Sequence, residues 1–219
     1  MDWTRGRITD ESIKLLATHS PDLRSLDVSL TDGAITDNSI RLVAANCRQL
    51  RFLDVHLTYG RISDVSIVAL AANCPYLQSL DVSRTEGKIT DESIKLVAAS
   101  CRGLQSLRAN YNRGKITDES IGHLARNCRG LQVLCVNNGF GSISDESLML
   151  IGTNCLQLRW LDLTGNSQGQ ITDASIRLIA ANCRQLQSFA VVDAYSGVHD
   201  NGVDPQLLAQ IRRICAENS

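Results

Sequence analysis

The chain has 219 residues, a formal net charge of −1 and 43% hydrophobic residues. That balance supplies a sizeable core but no excess of positive charge for a nucleic-acid backbone, so nucleic acid is not an expected partner. No apolar run approaches the roughly 18 residues that cross a bilayer, and Met1–Arg7 leads into no apolar leader segment, so a membrane is not expected either.

In chain order, Ile8-Thr9-Asp10 opens a pattern that returns as Ile35-Thr36-Asp37, Ile62-Ser63-Asp64, Ile89-Thr90-Asp91, Ile116-Thr117-Asp118, Ile143-Ser144-Asp145 and Ile171-Thr172-Asp173. The interval is 27 residues five times and then 28, with an eroded copy at Val198-His199-Asp200. A fixed period of this length marks a solenoid of stacked supersecondary units. Met1 enters partway through a unit, since Thr4-Arg5-Gly6-Arg7-Ile8 matches Thr31-Asp32-Gly33-Ala34-Ile35. An uncapped first unit and self-association through its edge are therefore expected.

Residues 35 to 61 show one unit. Ile40, Val43, Ala44 and Cys47 follow the i, i+3, i+4, i+7 stripe of a helix with one buried face. Thr36 or Asp37 suits the helix start, and Asn46, repeated as Asn73, Asn127, Asn154 and Asn182, is expected to end it in a left-handed conformation. Period-two alternation follows, with Leu50, Leu53 and Val55 inward and Phe52, Asp54 and His56 outward. A turn containing Gly33, Gly60, Gly87 or Gly114 leads to the next isoleucine. Each unit reads as helix, short strand, turn.

Stacked, seven repeats of 27–28 residues predict an α/β right-handed solenoid. Parallel strands line its concave face over about 30 Å, and helices line the convex one. The repeats are expected to fill residues 1–200, with residues 201–219 as a C-terminal capping helix that begins at Pro205.

Cys74, Leu77, Leu80, Asp81, Val82, Ser83, Ile89, Thr90 and Asp91 together resemble the cysteine-containing subclass of leucine-rich repeats. The resemblance covers essentially the whole chain. That subclass is best known from F-box proteins, where the repeats select substrates for a ubiquitin ligase. It implies a protein-binding surface; the residues themselves place no base beside a nucleophile and contain no phosphate loop, so neither catalysis nor a cofactor is expected.

Six of the eight cysteines (Cys47, Cys74, Cys101, Cys128, Cys155 and Cys183) share one repeat position on the buried stripe, where Ser20 stands in the first unit. They read as small apolar fillers, and unpaired thiols fit a reducing, cytoplasmic compartment. No Cys-x-x-Cys pair converges on a metal, and His19, His56, His123 and His199 fall at four different repeat phases. No metal site is expected.

Departures from the repeat consensus on the concave face carry the individual information. The first outward strand position reads Ser25, Phe52, Ser79, Ser106, Val133, Trp160, Ser188. The second reads Asp27, Asp54, Asp81, Arg108, Cys135, Asp162, Ala190, and the third Ser29, His56, Ser83, Asn110, Asn137, Thr164, Val192. Phe52 and Trp160 are aromatic anchors among serines. Arg108, Asn110, Tyr111, Cys135 and Asn137, with Asn138 and Phe140 beyond them, diverge together and mark the expected centre of a patch. Cys135 is expected to be outward beside Arg108, where a cation can lower a thiol pKa, but no histidine occupies the adjacent strands at a matching position, so no nucleophile is expected. The partner-binding set is thus Phe52, Asp54, His56, Asp81, Arg108, Asn110, Tyr111, Cys135, Asn137, Trp160 and Asp162, facing another protein. A structural or self-assembling solenoid without a specific ligand is the alternative.

Overall fold

A computed structural model describes residues 8–137, 143–166, 171–191 and 204–218. Met1–Arg7, Asn138, Phe140, Val192 and the eroded copy Val198–Asp200 lie outside the described residues. Seven units alternate helix and strand: α1 (Asp10–His19), β1 (Ser25–Asp27), α2 (Asp37–Asn46), β2 (Phe52–Asp54), α3 (Asp64–Asn73), β3 (Ser79–Asp81), α4 (Asp91–Ser100), β4 (Ser106–Arg108), α5 (Asp118–Asn127), β5 (Val133–Cys135), α6 (Asp145–Asn154), β6 (Trp160–Asp162), α7 (Asp173–Asn182) and β7 (Ser188–Ala190). An eighth helix, α8 (Pro205–Glu217), packs against β7 and α7.

The strands form one parallel sheet in the order β1 to β7, each residue pairing with its counterpart one repeat on. Helices are roughly twice as wide as the strand spacing, so a stack of both curves with the sheet on the inner side. Between the layers runs one core. Ile40, Val43, Ala44, Cys47, Leu50 and Val55 have no exposed surface, and most of their counterparts along the stack are buried, with Leu16, Leu23 and Ala180 in the end units partly so. The helical stripe and the strand alternation therefore meet as the sequence predicts.

Successive units are tied together by the first residue of each helix. Asp10 accepts from the backbone N–H of Thr36 at 2.8 Å and from its hydroxyl at 2.6 Å. The same pair of bonds joins Asp37 to Ser63, Asp64 to Thr90, Asp91 to Thr117, Asp118 to Ser144 and Asp145 to Thr172. The hydroxyl that is donated to the preceding unit also accepts from the N–H two residues on, capping its own helix, as Thr36 does for Asn38 at 3.2 Å. Asp173 completes the series by accepting from the N–H of Asp204 at 2.7 Å, just ahead of α8. Burial raises the pKa of Asp10 and of Asp145, but the hydroxyl and amide donors outweigh it and hold both carboxyls below the ordinary value.

A second ladder runs through the cysteines. Each Sγ–H points at a carbonyl of the preceding unit, as in Cys47 to Ser20 at 3.3 Å, Cys101 to Cys74 at 3.3 Å and Cys183 to Cys155 at 3.5 Å. Among the described residues no disulfide joins any of the cysteines.

The asparagines differ from expectation. Asn46, Asn73, Asn127 and Asn154 are the last helical residues, and each side-chain amide donates to the carbonyl four residues earlier; Asn182 reaches Gly152 in the preceding unit instead. No left-handed residue ends the helices; the following cysteine does so, with φ −106° and ψ 65° at Cys47. The left-handed residues lie after the strands, at Leu57, Tyr59 and Gly60, and again at Arg84, Glu86 and Gly87. This turn swings the chain back to the helix layer, a reversal that three consecutive right-handed residues do not make.

Two measurements test this framework. In urea unfolding, Asp91→Ala is expected to destabilise the chain by about 2–4 kcal/mol, since two hydrogen bonds to a charged acceptor are lost across a unit boundary. The exposed neighbour Glu92→Ala is expected to stay within about 0.5 kcal/mol; equal effects would remove the latch from the account. Burial pushes the thiols up from 9.0, to about 11 for Cys101, Cys128 and Cys183 and to about 12 for Cys74 and Cys155. A thiol that ionises at lower pH in the unfolded chain stabilises the fold fully below that pH and loses its contribution as pH rises towards the folded value. The melting temperature should therefore fall steeply between pH 9 and 11, and less so in Cys101→Ala; parallel curves for the two proteins would refute the assignment.

Candidate binding face

The inner face of the sheet presents three outward positions per unit. At the first, Phe52 and Trp160 are each 46% exposed. Phe52 stands in register between Ser25 and Ser79, and Trp160 between Val133 and Ser188, so mostly small neighbours leave both rings uncovered. Four strand spacings of about 4.8 Å place the two rings roughly 19 Å apart. Open aromatic faces at this separation suit anchors for an extended partner surface.

The second position carries most of the charge. Asp27, Asp54 and Asp81 stack in register across β1 to β3, followed by Arg108, Cys135 and Asp162. In each aspartate unit one carboxylate oxygen accepts from the N–H two residues on: Ser29, His56, Ser83 and Thr164, at 2.9 to 3.0 Å. These bonds turn the chain out of the strand, which explains why the aspartates recur despite their mutual repulsion. For Asp81 burial is the largest influence and raises the pKa, and the charge of Asp54 adds to it against hydrogen bonds from Ser83.

Where aspartate is missing, a side chain of the preceding unit takes over the joint: Ser83 Oγ accepts from the N–H of Asn110 at 3.1 Å. The Oδ1 of Asn110 accepts from the N–H of Asn137 at 3.0 Å, and Asn137 Nδ2 donates to Asp162 Oδ2 at 2.7 Å. Asn110 and Asn137 are thus partly committed to the framework. Tyr111 is not on the strand face: its backbone is left-handed, with φ 56°, and its ring lies 4.3 Å beneath the guanidinium of Arg84 on the turn edge. With Leu57, Glu86 and Arg113 these two residues line a shallow groove of about 310 Å³.

Cys135 corrects the sequence reading most clearly. It is 2% exposed, covered by its in-register neighbours, although its position points outward. Arg108 Nη1 does approach Sγ, at 3.5 Å. Burial nevertheless outweighs the cation and pushes the thiol up to about 11. It fills the space between longer side chains.

His56 has a contact that the sequence hid. It stands where other units carry serine, asparagine or threonine, and its Nδ1 lies 2.8 Å from Asp54 Oδ1, with Asp81 close by. The only available signal was an imidazole two residues after an aspartate that is itself flanked, one repeat away, by another.

No protein-family profile matches the chain, and no curated protein matches its sequence. Its fold is similar to a chain of the Rad7 and Elc1 complex in yeast, with 19% identity and a TM-score of 0.51, over 94% of this chain and 64% of that one. An internalin from Listeria monocytogenes is similar over 91% of this chain and 61% of that chain, with 19% identity and a TM-score of 0.54. This chain thus spans less than two thirds of either structure. At such identity the likeness is one of fold, an α/β solenoid of the leucine-rich-repeat kind.

The state of Cys135 has a direct readout. In the folded chain at pH 7.5 a soluble maleimide is expected to label Cys135 at least about 10-fold more slowly than in urea, in keeping with a buried, protonated thiol. Labelling as fast as that of a small free thiol would show that the cover of Arg108 and Asp162 opens.

Proposed function

We propose that this chain is a non-catalytic scaffold that recognises another protein through the concave face of its sheet. The observation that carries this reading is the pair of open aromatic rings, Phe52 and Trp160, on a stiff array of otherwise small and hydrogen-bonded side chains. A partner covering them gains apolar burial at little conformational cost, because strand register already fixes both rings. The Rad7 similarity supports the reading, since that structure is of a complex with a second protein. The ladder of buried thiols, none in a disulfide, fits a cytoplasmic setting. Among the described residues no helix is long and apolar enough to cross a membrane.

The deciding experiment compares the chain with a Phe52→Ala, Arg108→Glu, Trp160→Ala variant in affinity capture from cytosol, after thermal melting has shown the variant to be folded. Loss of a specific partner from the variant, by at least about 10-fold, is the expected result. Equal capture by both proteins would sink the concave-face reading. A second reading, self-association through the first unit, is favoured by Leu15, which is 55% exposed on α1, and by β1, which pairs only with β2 among the described residues. Sedimentation distinguishes it: a mass that rises with concentration and returns to monomer on Leu15→Lys supports the edge, whereas a constant mass excludes it.

A further inference from the structure

The N-terminal half of the inner face brings together three metal-ligating side chains from two adjacent strands. The ligand atoms of Asp54, His56 and Asp81 all lie within 4.8 Å of one another. Asp54 and Asp81 are directly in register on β2 and β3, and His56 follows Asp54 by two residues. We propose that Asp54, His56 and Asp81 form a site for a divalent transition cation of the zinc type on the concave face.

Three features favour this over a simple hydrogen bond. The first is spacing. Ligand atoms about 2.1 Å from a shared ion lie about 3.4 Å apart at the tetrahedral angle. His56 Nδ1 and Asp54 Oδ1, at 2.8 Å, are already within that distance and need to part by only about 0.6 Å to share an ion. Asp81 then has to move by at most about 1.5 Å, within reach of a side-chain rotation.

The second is orientation. One oxygen of each carboxylate is held at 2.9 Å by a backbone N–H, from His56 for Asp54 and from Ser83 for Asp81. Outer hydrogen bonds of this kind aim a ligand before the metal arrives and reduce the ordering it must impose.

The third is charge. Two carboxylates one strand apart repel, and among the described residues Asp54 is ion-paired with His56 alone while Asp81 has no ion pair. Arg108 is in register with Asp81 but sends its guanidinium to Cys135, at 3.5 Å.

One imidazole and two carboxylates match the preference of zinc and its first-row neighbours, whereas calcium asks for six to eight oxygens. Three protein ligands leave a tetrahedral position open towards the concave side, for water or for a side chain of a partner. The unit that carries the site is distinguished from its neighbours by His56, since Ser29 and Ser83 occupy that position in the flanking units.

The experiment is calorimetric titration of the reduced, folded chain with Zn²⁺ alone, beside His56→Ser and Asp81→Asn. His56→Ser installs what the flanking units already carry, so its metal-free melting temperature should equal that of the parent. The parent is expected to bind one zinc per chain, and each variant to bind at least about 10-fold more weakly. Zinc should also raise the melting temperature of the parent and leave that of His56→Ser unmoved. Undiminished binding by His56→Ser would assign the metal to another residue and overturn the proposal, as would the absence of binding by the parent at millimolar zinc. This test is independent of the protein-binding reading, which predicts no response to zinc on its own.

Discussion

Everything in this molecule depends on one residue per unit, the aspartate at the start of each helix, doing two things at once. Its negative charge sits in the first helical turn, where the helix dipole favours it. Its two oxygens are simultaneously taken by the N–H and hydroxyl of the capping residue one unit further on. That hydroxyl in turn caps the next helix, so the start of one helix is fixed by the start of the one before. A single relative placement of neighbouring units satisfies all of these donors, and repetition makes that placement uniform along the stack.

Uniform placement of the helices has its consequence at the sheet. Strands of only three residues contribute few ladder bonds, yet their register runs unbroken from β1 to β7. Interior leucines supply the apolar burial, the cysteine thiols fill the space behind them, and the helix latches prevent slippage. The outward positions are thereby freed from holding the fold, apart from the aspartates and asparagines that shape the exit of each strand. Phe52, Trp160 and His56 can vary from the repeat for this reason: no neighbour depends on them for its own position.

Crowding on that inner face also decides chemistry. In-register side chains of adjacent parallel strands are close enough to cover one another. Cys135, short and flanked by Arg108 and Asp162, is overgrown and stays protonated, with its thiol at about 11. His56, long and flanked by two carboxylates, is drawn into contact with Asp54 instead. Two residues at outward positions of neighbouring rows thus acquire opposite characters, one sealed and one accessible for coordination.

By itself the sequence determined the architecture, because the 27-residue period, the helical stripe from Ile40 to Cys47 and the alternation from Leu50 to Val55 are local patterns with one physical solution when stacked. It also separated inward from outward positions on every strand and singled out Phe52 and Trp160. Only the tertiary structure decided what those outward residues touch. The latch from Asp91 to Thr117 spans 26 residues and looks in the sequence like an ordinary first-turn acid. Asn46 reads as a helix terminator, yet its amide turns back to Leu42 and the left-handed backbone is displaced to the turn after the strand. The burial of Cys135, the stacking of Tyr111 beneath Arg84 and the meeting of His56 with two aspartates all depend on side-chain length and direction across neighbouring units. A repeat period states which residues are neighbours; which neighbour reaches over the other is settled by packing in three dimensions.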